Sequence, residues 1–319
     1  MMDCTDRHDR FFLRLISKNV MLYSEMVATK SAIHGDRKKI LGFREEEKPV
    51  ALQVGGSDKK ELSEVAKISE DLGYDEINLN LGCPSKKVQK NSFGACLMKE
   101  PDLVAECINE MSNSCKIPVT AKTRIGFDDI EDFEYLNNFI KKIKSTGCKT
   151  IILHARKAIL TGLTPKQNLN IPKLNYQMVY QIKKENPDLE IIINGGITKV
   201  SEISDHLEKC DGVMIGRAIY QNPYFLTEIE RHIFNNNEIP TREAIAKKLL
   251  EYLEEEVKLG TKVNHIMRHT VGLYHGQVGS KEWKRYLSDN MMAKDSDFMK
   301  AKHIMTIVQN NEKANQSNP

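Results

Sequence analysis

Residues 79–98 read LNLGCPSKKVQKNSFGACLM. With the three residues before them they open as a short alternating run, Glu76–Asn80, that reads as a strand. The run breaks at Gly82-Cys83-Pro84, passes through a lysine-rich loop and resumes at Phe93-Gly94-Ala95-Cys96. Runs of similar length recur outward from it in both directions, at Val20–Glu25, Pro49–Val54, Val119–Thr123, Thr150–His154, Glu190–Asn194 and Gly212–Gly216. Each is short and mostly apolar, as a parallel strand covered on both faces should be. Between them lie segments of helical period. Asp58–Leu72 stops at Gly73 and Asp129–Thr146 at Gly147, while Gln177–Glu185 and Val200–Leu207 are shorter. Strands alternating with helices over short connections predict βα units and a parallel sheet.

The closed form of that architecture is the (β/α)8 TIM barrel, and seven of its eight strands are visible. Thr5-Asp6 reads as the N-cap of a helix over Arg7–Ser17, so the chain enters a loop and a helix at once. The expected fold is α/β, a TIM barrel apparently lacking its first strand, with an open doubly wound sheet as the competitor. Beyond residue 240 the strand pattern stops. Thr241–Gly260 is an amphipathic helix with a threonine cap and a glycine stop, and Asn264–His275, Lys281–Leu287 and Ser296–Val308 also read as helices. This predicts a catalytic barrel over 1–240 and a small helical domain over 241–319, with a frayed tail from Asn310.

A chain of 319 residues with 40% hydrophobic residues can bury a core of this size. Its start is charged from Asp3, and no apolar run approaches the roughly 18–20 residues of a membrane span. Seven scattered cysteines without a Cys-x-x-Cys pair argue against a disulfide framework or zinc site and for a reducing, cytoplasmic setting. A net charge of +3 is too mild to demand a nucleic-acid partner, so any polyanion site is a local patch.

In a parallel barrel the chemistry sits at the carboxyl ends of the strands. Those ends carry Glu25, Gln53, Asn80 with Cys83, Lys122, His154 with Arg156, Asn194, and Gly216-Arg217. Asn194-Gly195-Gly196 and Gly216-Arg217 form two glycine corners, one with an arginine, where backbone N–H groups can meet a phosphate. Glycines needed only for tight turns are the plainer reading of either corner alone. A lysine in a strand is costly to bury without an anion. Lys122 therefore serves a ligand phosphate or ring anion, forms a Schiff base, or meets barrel carboxylates with His154. Cys83 taken alone reads as a small core residue, and Cys96 as core packing. His8 and His34 read as surface or loop positions; Arg268, His269 and His275 read as either an RNA face or solvated charge.

Taken together and in order, these motifs resemble the tRNA-dihydrouridine synthases. The resemblance rests on Asn78-Leu-Asn-Leu-Gly-Cys-Pro-Ser85, Phe93-Gly-Ala-Cys-Leu-Met98, Thr120-Ala-Lys-Thr-Arg-Ile-Gly126, His154-Ala-Arg-Lys157, Asn194-Gly-Gly196 and Gly216-Arg217. It runs from Met1 to about Asn290. Thr5-Asp-Arg-His8, Gly162-Leu-Thr-Pro165 and Trp283-Lys-Arg-Tyr-Leu-Ser288 are similar to the A-type branch, which is associated with D-loop uridines 20 and 20a. The resemblance implies an FMN enzyme driven by NADPH or NADH. Hydride goes from the flavin to C6 of a tRNA uracil and a proton from Cys83 to C5. It further implies that Gln53, Lys122 and His154 hold the flavin ring, and that Asn194, Gly195, Gly196, Gly216 and Arg217 hold its phosphate. Asn80 meets the uridine. Arg156, Lys157, Lys166, Lys284, Arg285 and Tyr286 fall where the family meets tRNA. Metals and membranes have no part in it, and a monomer is expected.

Two departures stand against that pattern. Cys4 replaces a bulky aromatic, and the Ala-Pro-Met turn that touches the flavin is represented by Met1 and Met2 alone. Two alternatives follow, a flavin oxidoreductase of a free pyrimidine and a tRNA-binding protein without catalysis.

Overall fold

Strands joined by helices that carry the chain back to the same end can pair only in parallel, and the computed structural model of the protein contains such a sheet. It describes residues 1–277 and 279–291. The strands are β1 (Leu22–Ala28), β2 (Val50–Gly55), β3 (Glu76–Leu81), β4 (Val119–Arg124), β5 (Thr150–His154), β6 (Glu190–Asn194) and β7 (Gly212–Met214). They lie in the order β1-β2-β3-β4-β5-β6-β7 with every neighbouring pair parallel. A strictly sequential order belongs to a barrel wall; a doubly wound sheet reverses at a switch point. Among the described residues seven barrel strands are therefore present, with β1 and β7 as the edges of that sheet.

The pleat explains the composition of each strand. On β3, Ile77, Leu79 and Leu81 are fully buried, and the helix Lys59–Asp71 packs on that strand with Leu62, Val65 and Ala66. The alternate positions Glu76, Asn78 and Asn80 share the other face. Register aligns Asn78 with Gln53 and Thr120, Asn80 with Lys122, and His154 with Arg124 and Asn194. One face of the sheet is thus apolar under helices and the other polar.

Several boundaries differ from expectation. β1 begins at Leu22 and runs to Ala28, because its register shifts between Tyr23 and Met26; Glu25 lies inside the strand and not at its end. β7 stops at Met214, leaving Gly216 as the cap of the helix Arg217–Gln221. The helix expected from Asp129 starts at Phe133, where the Asp132 side chain accepts from Tyr135 N–H. Pro101–Ser114 forms a 14-residue helix that the sequence reading passed over. Its signal was present in Pro101 at the first turn and in buried Val104, Ile108 and Met111 at helical spacing. The helix expected over Asn264–His275 is instead α-helical over Val263–Met267 and 3-10 over Arg268–Gly272. The expected helix at 296–308 and the tail from Asn310 lie outside the described residues.

By internal contacts the described chain divides into two compact units. One comprises Met1–Met2, Met21–Phe43 and Lys48–Ile215; the other comprises Asp3–Val20, Arg44–Glu47 and the residues from Gly216 onward. The second unit is built on the helices Arg7–Arg14 and Arg242–Lys258. Phe11 stacks on Tyr252 with ring centroids 3.8 Å apart, and the Tyr252 hydroxyl lies 2.6 Å from His8 Nδ1. His8 is therefore a buried helix residue, not a surface one. Asp6 caps the first helix and pairs with Arg268 at 2.6 Å and His269 at 3.0 Å. His269 is itself buried, because the cap needs a partner inside the unit.

Arg10 and Glu47 form a buried pair at 2.8 Å, and Glu47 also accepts the Arg44 N–H. Burial pushes the Glu47 carboxyl up despite Arg10, so the pair adds little by itself. Removing one partner is another matter. Glu47→Ala strands the Arg10 guanidinium in the core and is expected to cost about 3–5 kcal/mol, read as a lowered midpoint in thermal or urea unfolding.

Candidate active site

The end of β3 is shaped by one side chain. Asn80 Oδ1 accepts from Gly82 N–H at 3.1 Å and Cys83 N–H at 2.5 Å, which bends the chain out of the strand. The Cys83 carbonyl accepts from Ala95 N–H at 2.9 Å. Gly94 permits that approach, since it has φ +76° and a Cβ there would stand 2.5 Å from the Cys83 oxygen. Arg124 Nε donates to the Gly82 carbonyl at 2.7 Å, and its Nη1 to the Lys157 and Asn168 carbonyls at 3.1 and 3.2 Å. Pro84 then fixes its own φ, and Ser85 caps the short helix Lys86–Lys90. Cys83 is thus held from both sides, half-buried.

Burial pushes the Cys83 thiol up from its ordinary value, outweighing the Ser85 amide and the cations of Arg124 and Lys122. At neutral pH it is a neutral thiol and can donate a proton. Cys107, Cys148 and Cys210 are buried, with thiols pushed to about 11, and serve packing. Cys96 is half-buried, not in the core, with Sγ donating to the Phe93 carbonyl at 3.1 Å.

Beside this turn the polar face forms a cup. Gln53 is bonded to Asn78 at 2.9 Å and to Asn80 at 2.7 Å. Lys122 Nζ donates to Asn194 Oδ1 at 3.2 Å, and Asn194 Nδ2 to the Met214 carbonyl at 2.8 Å. Among the described residues no carboxylate pairs with Lys122. Burial, then the neighbouring Arg124 charge, holds its amine down to about 8. Gly195 lies against His154, where a Cβ would stand 2.8 Å from the imidazole Cδ2; at φ +122° only glycine fits comfortably. A cation without an anion, buried amides and a close-approach glycine fit an anionic, hydrogen-bonding ring such as a flavin. The barrel-carboxylate reading of Lys122 therefore finds no carboxylate among the described residues.

Gln53, Asn80, Cys83, Lys122, His154, Asn194 and Gly195 are thereby gathered at one end of one sheet. Gly196 follows as an exposed turn residue, and Met1 belongs to the same unit, half-buried. Arg156 donates to the Pro172 carbonyl and Lys157 pairs with Glu131 at 3.5 Å, whereas Lys166 is exposed. Gly216 and Arg217 open the second unit as cap and first residue of a helix, with Arg217 exposed. In that unit Lys284 and Arg285 are exposed and Tyr286 half-buried, beside the buried Trp283. The sequence reading missed Arg124, Asn78 and Thr120 as parts of the site. Their signal was the period-2 spacing from Asn80 and Lys122, which puts them on the same face.

The folded-state value of Lys122 lies below its unfolded one. The unfolded chain therefore binds more protons between about pH 8 and 10.5. Without a ligand the burial penalty is full below about 8 and fades as pH rises through that window. An anionic ligand reverses this by holding the proton. Calorimetric titration with FMN at pH 8.5, in buffers of different ionisation enthalpy, is expected to show proton uptake that Lys122→Met abolishes. Alkylation of Cys83 by iodoacetamide is expected to be slow at pH 7.5 and to rise with pH beyond 9.

The model of the dihydrouridine synthase (Dus) family matches residues 1–311. A Synechocystis protein named tRNA-dihydrouridine(20/20a) synthase is 49% identical over 293 residues, 92% of this chain and 88% of its own. Proteins of the same name from Shewanella oneidensis and Escherichia coli K12 are 49% and 48% identical, over 91% and 97% of this chain and 87% and 90% of theirs. Among solved structures, an old yellow enzyme homologue from Zymomonas mobilis shares the fold. Its TM-score is 0.51 at 9% identity, over 75% of this chain and 86% of its own. With a family match along nearly the whole chain and relatives near one-half identity, the protein belongs to the dihydrouridine synthase family of enzymes.

Proposed function

We propose that the protein reduces the C5–C6 bond of D-loop uridine in tRNA, at positions 20 and 20a, using FMN and NADPH. The observation that carries this reading is the Cys83 turn: a thiol kept protonated by burial, fixed by Asn80 and Ala95, at the rim of a polar cup holding a lysine bonded to a neutral amide, with no carboxylate partner among the described residues. Gln53, Lys122 and His154 would hold the flavin ring, and Asn194, Gly195 and Gly196 its phosphate. When bound, reduced flavin supplies the hydride for C6 of the uracil.

Cys83 supplies the matching proton at C5, where negative charge develops as the ring is reduced. A thiolate could not do this, so the burial that raises the thiol favours catalysis. Lys122 stabilises anionic charge on the ring system beside it. Asn80 orients the uracil edge. Met1 would touch the flavin as well.

Substrate access supports RNA over a free base. Lys86, Lys87 and Lys90 are exposed on the helix that follows Cys83. They suit phosphates flanking a uridine that has left its stack. Arg156, Lys157 and Lys166 are the further candidates on this unit. Residues 241–319, with Lys284, Arg285 and Tyr286, would form the tRNA-binding domain. No described helix is long and apolar enough to cross a membrane; a monomer acting in the cytoplasm belongs to the same proposal.

Incubation of FMN-loaded enzyme and NADPH with tRNA lacking dihydrouridine is expected to give dihydrouridine at 20 or 20a, read by mass spectrometry. Reduction of free uridine or orotate in preference to tRNA would overturn the reading. Cys83→Ala is expected to slow single-turnover tRNA reduction by about 10²-fold or more, with flavin reduction by NADPH within two-fold of wild type.

A further inference from the structure

The amides of the cup belong to a longer series of hydrogen bonds that runs down the polar face of the sheet. Cys83 N–H and Gly82 N–H donate to Asn80 Oδ1, and Asn80 Nδ2 donates to Gln53 Oε1 at 2.7 Å. Gln53 Nε2 donates to Asn78 Oδ1 at 2.9 Å, and Asn78 Nδ2 to Thr120 Oγ1 at 2.7 Å. Thr120 Oγ1 donates to Glu76 Oε1 at 2.6 Å, where the Tyr23 hydroxyl also donates at 2.9 Å. Glu76, Asn78, Thr120, Gln53 and Asn80 are all under 10% exposed.

Every donor in this series points the same way, and chemistry at its two ends requires it. Backbone N–H groups can only donate, so Asn80 must turn its oxygen to Cys83. As a carboxylate Glu76 can only accept, and Thr120 then turns its proton to it. The threonine oxygen is left to accept from Asn78. The orientations forced from the two ends agree at Gln53. Two consequences follow for the site. Both lone pairs of Asn80 Oδ1 are taken by Gly82 and Cys83, so toward a ligand Asn80 can offer only its remaining N–H. The Cys83 turn, in turn, depends on an amide whose orientation is set three residues away.

We infer that Thr120 and Glu76 are positioning residues, which fix the direction of this hydrogen-bond series and thereby the Cys83 turn and the donor that Asn80 presents to the substrate carbonyl. The inference rests on the proposed role of Cys83. Neither side chain needs to touch the ligand, and a hydroxyl at 120 is the one link whose loss reverses nothing in shape.

Thr120→Val and Thr120→Ser separate direction from packing. Valine keeps the shape and removes the hydroxyl; serine keeps the hydroxyl and removes a methyl. A packing role favours the valine variant, and a directing role the serine variant. Pre-reduced, FMN-loaded enzyme is mixed with tRNA lacking dihydrouridine and single-turnover reduction is followed, alongside tRNA affinity and the rate of Cys83 alkylation. The expected result is a ten-fold or greater slowing in Thr120→Val, with Thr120→Ser within three-fold of wild type. Affinity is expected to change by less than two-fold, and Cys83 alkylation to change by three-fold or more only in the valine variant. Glu76→Gln tests the other end, since its amide can present either atom to Thr120; slowing of several-fold is expected. Tyr23→Phe keeps every link of the series and removes only the second hydroxyl on Glu76, so slowing smaller than that of Glu76→Gln is expected. A valine or Glu76→Gln variant as fast as wild type overturns the inference, as does equal slowing in valine and serine variants; either position decides alone if the other yields no soluble protein. If wild-type enzyme itself fails to reduce tRNA, the proposed function fails instead, and the alkylation rates still judge the positioning role.

Discussion

The bond from Cys83 N–H to Asn80 Oδ1 is the constraint on which the site depends. A strand that simply continued would carry residue 83 along the sheet, away from the cup. By accepting two successive backbone N–H groups, Asn80 bends the chain out of β3 at Gly82 and Cys83. Each other element near the turn secures this bend: Ala95 holds the Cys83 carbonyl, Gly94 makes room for it, and Arg124 ties Gly82 to the loops after β5. Because Asn80 spends its oxygen on the backbone, its nitrogen must find an acceptor, and Gln53 supplies one.

The parallel sheet makes such a site possible. Pleating separates an apolar set, Ile77, Leu79 and Leu81, from a polar set, Glu76, Asn78 and Asn80, on a single strand six residues long. The same split on β4 gives Thr120, Lys122 and Arg124. A polar interior of this kind is costly unless each group is bonded. Glu76 shows the balance. Burial pushes its carboxyl up, and the Thr120 and Tyr23 hydroxyls oppose that push. Lys122 is left deliberately short of partners, bonded to a neutral amide and repelled by Arg124. The strain this implies in the free protein is the affinity it offers to an anion.

The second unit follows a different logic. Its N-terminal helix is fastened by charge, through Asp6 to Arg268, Arg10 to Glu47, and Arg7 to Glu256 at 2.6 Å, with the His269 imidazole 3.0 Å from Asp6 beside them. The motif Thr5-Asp6-Arg7-His8 is thereby accounted for as structure, with Asp6 as cap and His8 bonded to Tyr252.

The sequence alone determined the strand count, their parallel order and the polar strand ends, because period-2 burial and βα alternation are local properties written in every element. It also singled out Cys83, Lys122, His154 and the Asn194-Gly-Gly corner, since unusual residue types at strand ends stand out against an apolar background. It did not reach β1's true end at Ala28, which depends on a register shift against β2, nor the burial of His8 and His269, which depends on helices some 240 residues apart meeting. Nor could it show that Asn78, Thr120 and Glu76 act with Asn80. Read singly, these are ordinary polar residues in strands. Only the tertiary structure sets β2, β3 and β4 side by side in one register, and hydrogen-bond direction is a property of the assembled series and of no residue within it.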